Sequence, residues 1–377
     1  MSHDAPRLPV RAELAGARPY GAPQLDVDVQ LNVNENPYPP SAEIVDAMAA
    51  AVRDVAGTLN RYPDREATAL RHDLADYLGH GLTADQVWAA NGSNEVMVQV
   101  LQAFGGPGRT VLTFGPTYSM YPEYARDTST RYVALPRAED FTIDSDTAAT
   151  TIVRERPHVV VLASPNNPTG TALPLDTIKR ICDATCAAEA VVVVDEAYAE
   201  FRRAGTPSAL SLLGDYPHLA VSRTMSKAFA FAGGRLGYLA SSREFVDALR
   251  IVRLPYHLSS VTQAVARVAL AHRDTTLDQV DELRRERDAT ADWLREQGLR
   301  VADSDANFVL FGMFADRHRL WQGLVDAGVL IRETGPEGWL RVSIGTGDEM
   351  MEFRRALREA LQAATMLHEA PMVQEAR

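Results

Sequence analysis

Val159-Val160-Val161-Leu162-Ala163 and Val191-Val192-Val193-Val194-Asp195 are two unbroken apolar runs, the second ending on a carboxylate. A strand with one wet face alternates apolar and polar residues, whereas an unbroken run belongs to a strand covered on both faces, as in a parallel sheet between helices. Working outward, further short β-rich runs occur at Val87–Ala90, Thr110–Phe114, Arg131–Leu135, Leu219–Ser222 and Leu236–Ala240, with longer helical patterns between them. After Asn91-Gly92-Ser93, the apolar residues Val96, Met97, Val100, Leu101 and Phe104 recur on one face of a helix. The alternation predicts the α/β class: a large domain with a mostly parallel seven-stranded sheet sandwiched by helices.

From about Val261 the character changes to long charged helical stretches, notably Leu277–Gln297, followed by short strands near Asn307–Phe311, Val329–Arg332 and Trp339–Ile344. These predict a smaller α+β domain. The expected division is 1–58 as an amino-terminal arm and a segment joining the small domain, 59–255 as the large domain, and 256–377 as the small one. Leu31–Pro40, with three prolines, and Pro255 read as crossing or hinge segments, and the ends before about Leu8 and after about Leu367 as frayed tails.

The 377 residues carry 38 Lys plus Arg against 50 Asp plus Glu, a net charge of −12, and are 46% hydrophobic. This composition excludes a disordered or collagen-like chain and argues against nucleic acid or an anionic membrane as a general partner. Only two cysteines occur, Cys182 and Cys186, four apart on a predicted helix, which fits neither a disulfide framework nor a complete zinc site. The histidines show no metal-binding spacing, so no metal is expected. The amino terminus lacks an apolar signal region and no stretch approaches a bilayer span; a reducing, cytoplasmic setting is the simplest expectation.

The chemistry lies just past the strands. In an open α/β sheet the ligand crevice is at the carboxyl ends of the strands. Asp195 there is either a cap for the next segment or a buried charge in need of a cation. Asn166-Asn167-Pro168-Thr169-Gly170 follows one strand and Ser222-Arg223-Thr224-Met225-Ser226-Lys227 another. Separately these read as a turn, a helix cap and a solvated lysine. Yet Lys227 leads into Ala228-Phe229-Ala230-Phe231-Ala232-Gly233-Gly234, which is too apolar for a solvated face.

Together these residues resemble the pyridoxal-phosphate-dependent aminotransferases of the aspartate aminotransferase fold (fold type I, class I/II) and, among them, the histidinol-phosphate aminotransferase family. The resemblance runs from Tyr20 and Asn34-Glu35-Asn36-Pro37 through Asn60-Arg61-Tyr62-Pro63-Asp64 and Asp195-Glu196-Ala197-Tyr198 to Leu340-Arg341-Val342. Its most specific elements are Thr224-Met225-Ser226-Lys227-Ala228-Phe229 and Gly233-Gly234-Arg235-Leu236-Gly237-Tyr238. It implies pyridoxal 5'-phosphate as cofactor, with Lys227 holding the cofactor aldehyde as a Schiff base and moving the proton, the two functions that a primary amine supplies. By the same resemblance Asp195 keeps the pyridine nitrogen protonated, and Tyr198 and Asn167 donate to the phenolic oxygen. Tyr118 stacks on the ring, and Thr224, Ser226 and Arg235 hold the phosphate. Gly92, Ser93 and Asn94 add backbone amides at a helix N-terminus, which favours an anion.

Tyr62 corresponds to a tyrosine that reaches the phosphate from a neighbouring subunit, which implies a homodimer with shared sites. Arg341 matches the arginine that grips the substrate carboxylate. Arg332 and Tyr20 resemble the residues that hold the substrate phosphate, Tyr20 from the partner subunit. Asn34 and Asn36 either line the cleft or form a structural turn. The implied reaction is transfer of an amino group from glutamate to imidazole-acetol phosphate, giving histidinol phosphate and 2-oxoglutarate in histidine biosynthesis by a ping-pong mechanism. The rivals are an aromatic amino acid aminotransferase and, more distantly, a threonine-phosphate decarboxylase. A nicotinamide dehydrogenase is disfavoured, since Gly105-Gly106-Pro107-Gly108 lacks the GxGxxG spacing. A cofactor-binding regulator would need room for a basic DNA-binding module.

Overall fold

The two apolar runs and the five other β-rich runs form one sheet in the computed structural model, which describes residues 8–369. They are β1 (Val87–Ala90), β2 (Thr110–Gly115), β3 (Arg131–Pro136), β4 (Val159–Ala163), β5 (Val191–Asp195), β6 (Leu219–Thr224) and β7 (Gly237–Ala240). Their spatial order is β1-β7-β6-β5-β4-β2-β3, and β7 alone runs antiparallel to its neighbours. All of β4 and all of β5 beyond Val191 are buried, as unbroken apolar runs require. From β2 the chain first moves outward to β3 and then returns to the other side of β2 for β4. That reversal opens a crevice at the carboxyl ends of the strands.

Helix Ser93–Phe104 buries Val96, Met97, Val100 and Leu101 against this sheet, the face its spacing predicts. Its start is pressed onto β7 so closely that a Cβ on Gly237 would lie 2.1 Å from the Ser93 amide nitrogen, so only glycine fits there. Helix Leu175–Ala188 carries both cysteines, Cys182 buried and Cys186 exposed, and both are free.

A second, antiparallel sheet contains β8 (Arg300–Val301), β9 (Phe308–Gly312), β10 (Arg332–Glu333) and β11 (Trp339–Ser343) in the order β10-β11-β9-β8. The long charged stretch forms helix Arg273–Glu296, which buries Val280, Leu283, Ala291 and Leu294 and turns most of its charges outward. The single strand expected at Val329–Arg332 is divided. Val329–Leu330 pairs in parallel with Val29–Gln30, and Arg332 begins β10 after a change of partner at Ile331. Strands of two residues, such as Val29–Gln30 and β8, carry too few side chains to leave a periodic signal.

The proline-rich segment 31–40 has no helix or strand and spans both sheets. Its Leu31 amide donates to Leu330 and its Leu31 carbonyl accepts from the Ser343 amide, while Asn36 Nδ2 donates to the Ala228 carbonyl beside Lys227. The tails expected before Leu8 and near the carboxyl end fall almost wholly outside the described residues. Among the described residues no helix is long and apolar enough to cross a membrane.

Candidate active site

The carboxyl ends of β2, β4, β5 and β6 open onto one cavity of about 470 Å³, closed on the other side by segment 32–35 and by Arg332 and Arg341 of the second sheet. Each strand delivers a polar residue where its apolar run stops: Tyr118 past β2, Asn167 past β4, Asp195 at the end of β5, and Thr224, Ser226 and Lys227 at and past β6. The backbone is forced into regular hydrogen bonding up to the sheet edge and is free to turn only beyond it, so these side chains converge there.

Lys227 Nζ donates to the Val33 carbonyl at 2.8 Å. Burial, then the charge of Arg341, lowers its proton affinity to about 8, with Glu35 opposing. A minor but useful fraction of the amine is thus unprotonated near neutral pH, far more than for an ordinary lysine, as a nucleophile or proton carrier needs.

Asp195 and Glu196 are adjacent, both buried, and behave oppositely. Burial also pushes Glu196 upward, but Arg223 at 2.8 Å and Arg202 at 3.4 Å outweigh it, and its carboxyl falls below the ordinary value. Asp195 has no cation within ion-pair distance among the described residues. Burial raises its carboxyl to about 6, although Tyr121 donates to Oδ2 at 2.8 Å and the Ala197 amide to Oδ1 at 3.3 Å. A buried carboxylate without a cation, facing a cavity, fits a ligand that brings a protonated nitrogen.

Across the cavity the groups suit an anion. Gly92, at φ +85°, leads into helix Ser93–Phe104, whose first amides point outward with the positive end of the helix dipole. Arg235 lies so close that a Cβ on Gly92 would be 2.7 Å from its Nη2. Ser226 Oγ accepts from Thr224 Oγ1 at 3.0 Å and from Arg235 Nη1 at 3.5 Å, which gathers two hydroxyls and a guanidinium beside that terminus.

A second set of groups suited to an anion lies on the small sheet. Arg332 and Arg341 are directly opposite in the β10–β11 register, a placement that is destabilising for like charges unless an anion lies between them. Arg341 donates to Asn167 Oδ1 at 2.6 Å and to the Asn32 carbonyl at 2.8 Å, and its guanidinium lies 5.0 Å from the Phe308 ring centre. Burial lowers its proton affinity to about 10. Arg341 Nε and Arg332 Nη1 remain buried with no hydrogen-bond partner, so each guanidinium has donor capacity left for a ligand. Tyr198 is prepared in the same way. Its hydroxyl accepts from Asn34 Nδ2 at 3.0 Å and from Asn167 Nδ2 at 3.3 Å, which leaves its own proton to donate.

Residues 27–357 match the family model described as Aminotransferase class I and II. A histidinol-phosphate aminotransferase of Thermobifida fusca is 63% identical over 353 residues, covering 94% of this chain and 95% of the relative. The chain belongs to this aminotransferase family. A second relative of the aminotransferase, histidinol-phosphate aminotransferase 3 of Burkholderia lata, is 62% identical over 94% of this chain and 96% of its own. Among solved structures, a histidinol-phosphate aminotransferase from Sinorhizobium meliloti in complex with pyridoxal-5'-phosphate superposes with a TM-score of 0.84 at 25% identity, over 95% of this chain and 99% of the other.

The aminotransferase cavity brings together most of the residues singled out from the sequence: Lys227, Asp195, Tyr198, Asn167, Tyr118, Ser93, Asn94, Thr224, Ser226, Arg235, Arg332 and Arg341. Three differ. Tyr20, expected from a partner subunit, lines the cavity of its own chain and accepts from Ser119 Oγ at 3.1 Å. Asn36 does not line the cavity, because its amide is spent on the Ala228 carbonyl and the Tyr38 amide; Asn34 takes the place in the cleft. Tyr62, expected to serve a partner subunit's site, is 79% exposed, stacks on Tyr256 with ring centres 4.3 Å apart, and lies outside the cavity of its own chain. Sequence reasoning missed Tyr121, Asn32 and Ser343, the last bonded to both the amide and the side chain of Asn34. Only Tyr121 had a usable signal, a second tyrosine three residues beyond Tyr118.

Proposed function

We propose that the protein transfers an amino group between glutamate and imidazole-acetol phosphate, forming histidinol phosphate and 2-oxoglutarate with pyridoxal 5'-phosphate as cofactor in histidine biosynthesis. The observation that carries this reading is the charge arrangement in one cavity: Asp195 without a cation, Lys227 with lowered proton affinity, and the facing pair Arg332 and Arg341 with unspent donors. When bound, the cofactor supplies an aldehyde to hold the amino group and an electron sink next to the substrate Cα.

The chain's own residues divide the remaining work. Asp195 would keep the ring nitrogen protonated, Tyr118 would pack on the ring, and Tyr198 with Asn167 would donate to the phenolic oxygen. Thr224, Ser226, Arg235 and the amides of residues 92–94 hold the cofactor phosphate. Lys227 Nζ would hold the cofactor aldehyde and, once freed from it, would be the base that takes up the substrate Cα proton. Arg341, already held by Asn167, orients the substrate carboxylate in a two-point contact, while Arg332 and Tyr20 take the phosphate of the second substrate. Glutamate brings two carboxylates and imidazole-acetol phosphate a phosphate, in keeping with a pocket whose substrate side is lined by Arg332 and Arg341.

The same reading includes a homodimer in which the exposed Tyr62 completes the partner's phosphate site, a cytoplasmic enzyme, and a division into arm (1–58), cofactor domain (59–255) and small domain (256–377). The pairing of Val29–Gln30 with Val329–Leu330 supports joining the arm to the small domain. The test is a single half-reaction, in which the yellow holoenzyme is mixed with histidinol phosphate, phenylalanine or tyrosine and loss of the cofactor's visible absorption is timed. Fastest bleaching by histidinol phosphate is expected, and a clear preference for phenylalanine would make the protein an aromatic aminotransferase.

A further inference from the structure

Tyr121 is fully buried in helix Tyr121–Asp127, and its hydroxyl has one acceptor, Asp195 Oδ2, at 2.8 Å. The other carboxylate oxygen accepts only the longer contact from the Ala197 amide at 3.3 Å. Asp195 is therefore held from two elements, and the phenol is the shorter of the two restraints. The Tyr118 ring meets the Tyr121 ring edge-on at 5.6 Å, so one short segment presents an aromatic face to the cavity and a hydroxyl beneath it. The titratable groups that face Asp195 are Tyr118, Tyr121 and Tyr124 from that segment and Glu196 and Tyr198 from the turn after β5.

We infer that Tyr121 is a positioning residue for the cofactor's pyridine nitrogen: by donating to Asp195 Oδ2 it fixes the carboxylate's orientation and favours its charged form. The inference rests on the assignment of Asp195 to that nitrogen. Burial keeps the phenol protonated far above neutral pH, so it is a donor under all working conditions. A hydrogen bond to the charged form stabilises that form. With cofactor bound, the carboxylate must be charged opposite a protonated nitrogen. Without cofactor, it can escape desolvation by taking up a proton. Loss of the phenol therefore penalises the loaded protein more than the empty one, and does so most at low pH, where the empty carboxyl is neutral.

The experiment compares Tyr121→Phe with the parent in dissociation of pyridoxal 5'-phosphate and of its 1-deaza analogue, which lacks the ring nitrogen, from about pH 6 to about pH 9. The expected result is a roughly tenfold weaker hold on pyridoxal phosphate at the acidic end, fading towards the alkaline end, with the deaza analogue unchanged within about twofold. Equal weakening of both ligands at every pH would mean that Tyr121 only packs, and no weakening of either would mean that it does not act on the cofactor; each overturns the inference. Asp195→Asn measured in parallel tests the underlying assignment separately, because a variant that still distinguishes the two ligands as the parent does would remove Asp195 from the ring nitrogen whatever Tyr121 does. If Tyr121→Phe folds poorly, 3-fluorotyrosine at the same position, a stronger donor of nearly the same shape, should tighten the hold on pyridoxal phosphate alone; loosening it would overturn the inference.

Discussion

Asp195→Asn should make the cofactor-free protein more stable while it weakens the hold on the cofactor. Burial raises the carboxyl from 3.8 to about 6. The gap of about 2.2 pH units, at ~1.36 kcal/mol each, means that ionising Asp195 in the empty fold costs about 3 kcal/mol. The sign follows from a raised folded-state value: the neutral carboxyl is tolerated below the unfolded value, and stability is lost as pH rises towards and through about 6. Asparagine keeps an acceptor for Tyr121 but turns an NH₂ towards the Ala197 amide, a pH-independent cost of about 1 kcal/mol. The variant should therefore nearly match the parent at about pH 4.5 and exceed it by about 2 kcal/mol at about pH 7.5. Urea unfolding of the two cofactor-free proteins at both pH values measures the difference. A stability difference that does not change with pH would refute the reasoning, because it would mean that Asp195 carries no buried charge in the empty site.

Three other outcomes are expected. Arg341→Lys should lower kcat/KM for glutamate by roughly 10²-fold or more, since a point charge cannot reproduce the fork that is held by Asn167 and the Asn32 carbonyl; steady-state rates at fixed keto acid measure it, and a loss below tenfold would count against the carboxylate role. Gly237→Ala would place a Cβ at 2.1 Å from Ser93 N, against ordinary contact at 3.4 Å or more, so helix Ser93–Phe104 must retreat by 3.4 − 2.1 = 1.3 Å. The melting temperature should fall by an amount that corresponds to at least about 1–3 kcal/mol, and the cofactor phosphate should be held more weakly. Finally, the rate at which cofactor-free protein captures pyridoxal phosphate should rise with pH through about 8 and then level off as Lys227 loses its proton, and Lys227→Ala should abolish both this phase and turnover.

The seven-strand layout was legible because the central strands β4 and β5 are short unbroken runs of Val, Leu and Ala up to Asp195, the composition that burial on both faces favours, and the remaining strands follow as β-rich runs between helical patterns. The site was legible for a related reason. Polar residues placed straight after such runs, as at Asp195 and Asn167, have to lie at the sheet's open edge. Lys227 could be distinguished from a surface lysine because its neighbours are apolar. The division of Val329–Arg332 between two sheets was not legible, since a change of partner depends on which strand arrives alongside and leaves no mark on the residues themselves.

The sequence by itself determined the order of the elements, the positions of the strand ends and the chemical types available there, because periodicity and punctuation are local properties of the chain. Only the tertiary structure decided which of those side chains share a cavity and in what electrical state. Asp195 and Glu196 are neighbours of the same chemical kind, yet Glu196 is paired with arginines and Asp195 lines the cavity with only Tyr121 and the Ala197 amide as donors. Asn34 and Asn36 flank one glutamate, yet one enters the cleft and the other is consumed by backbone. Arg332 and Arg341 become a facing pair only through strand register. Desolvation and charge pairing depend on distances between residues far apart in the chain, and those distances exist only once the two sheets have come together.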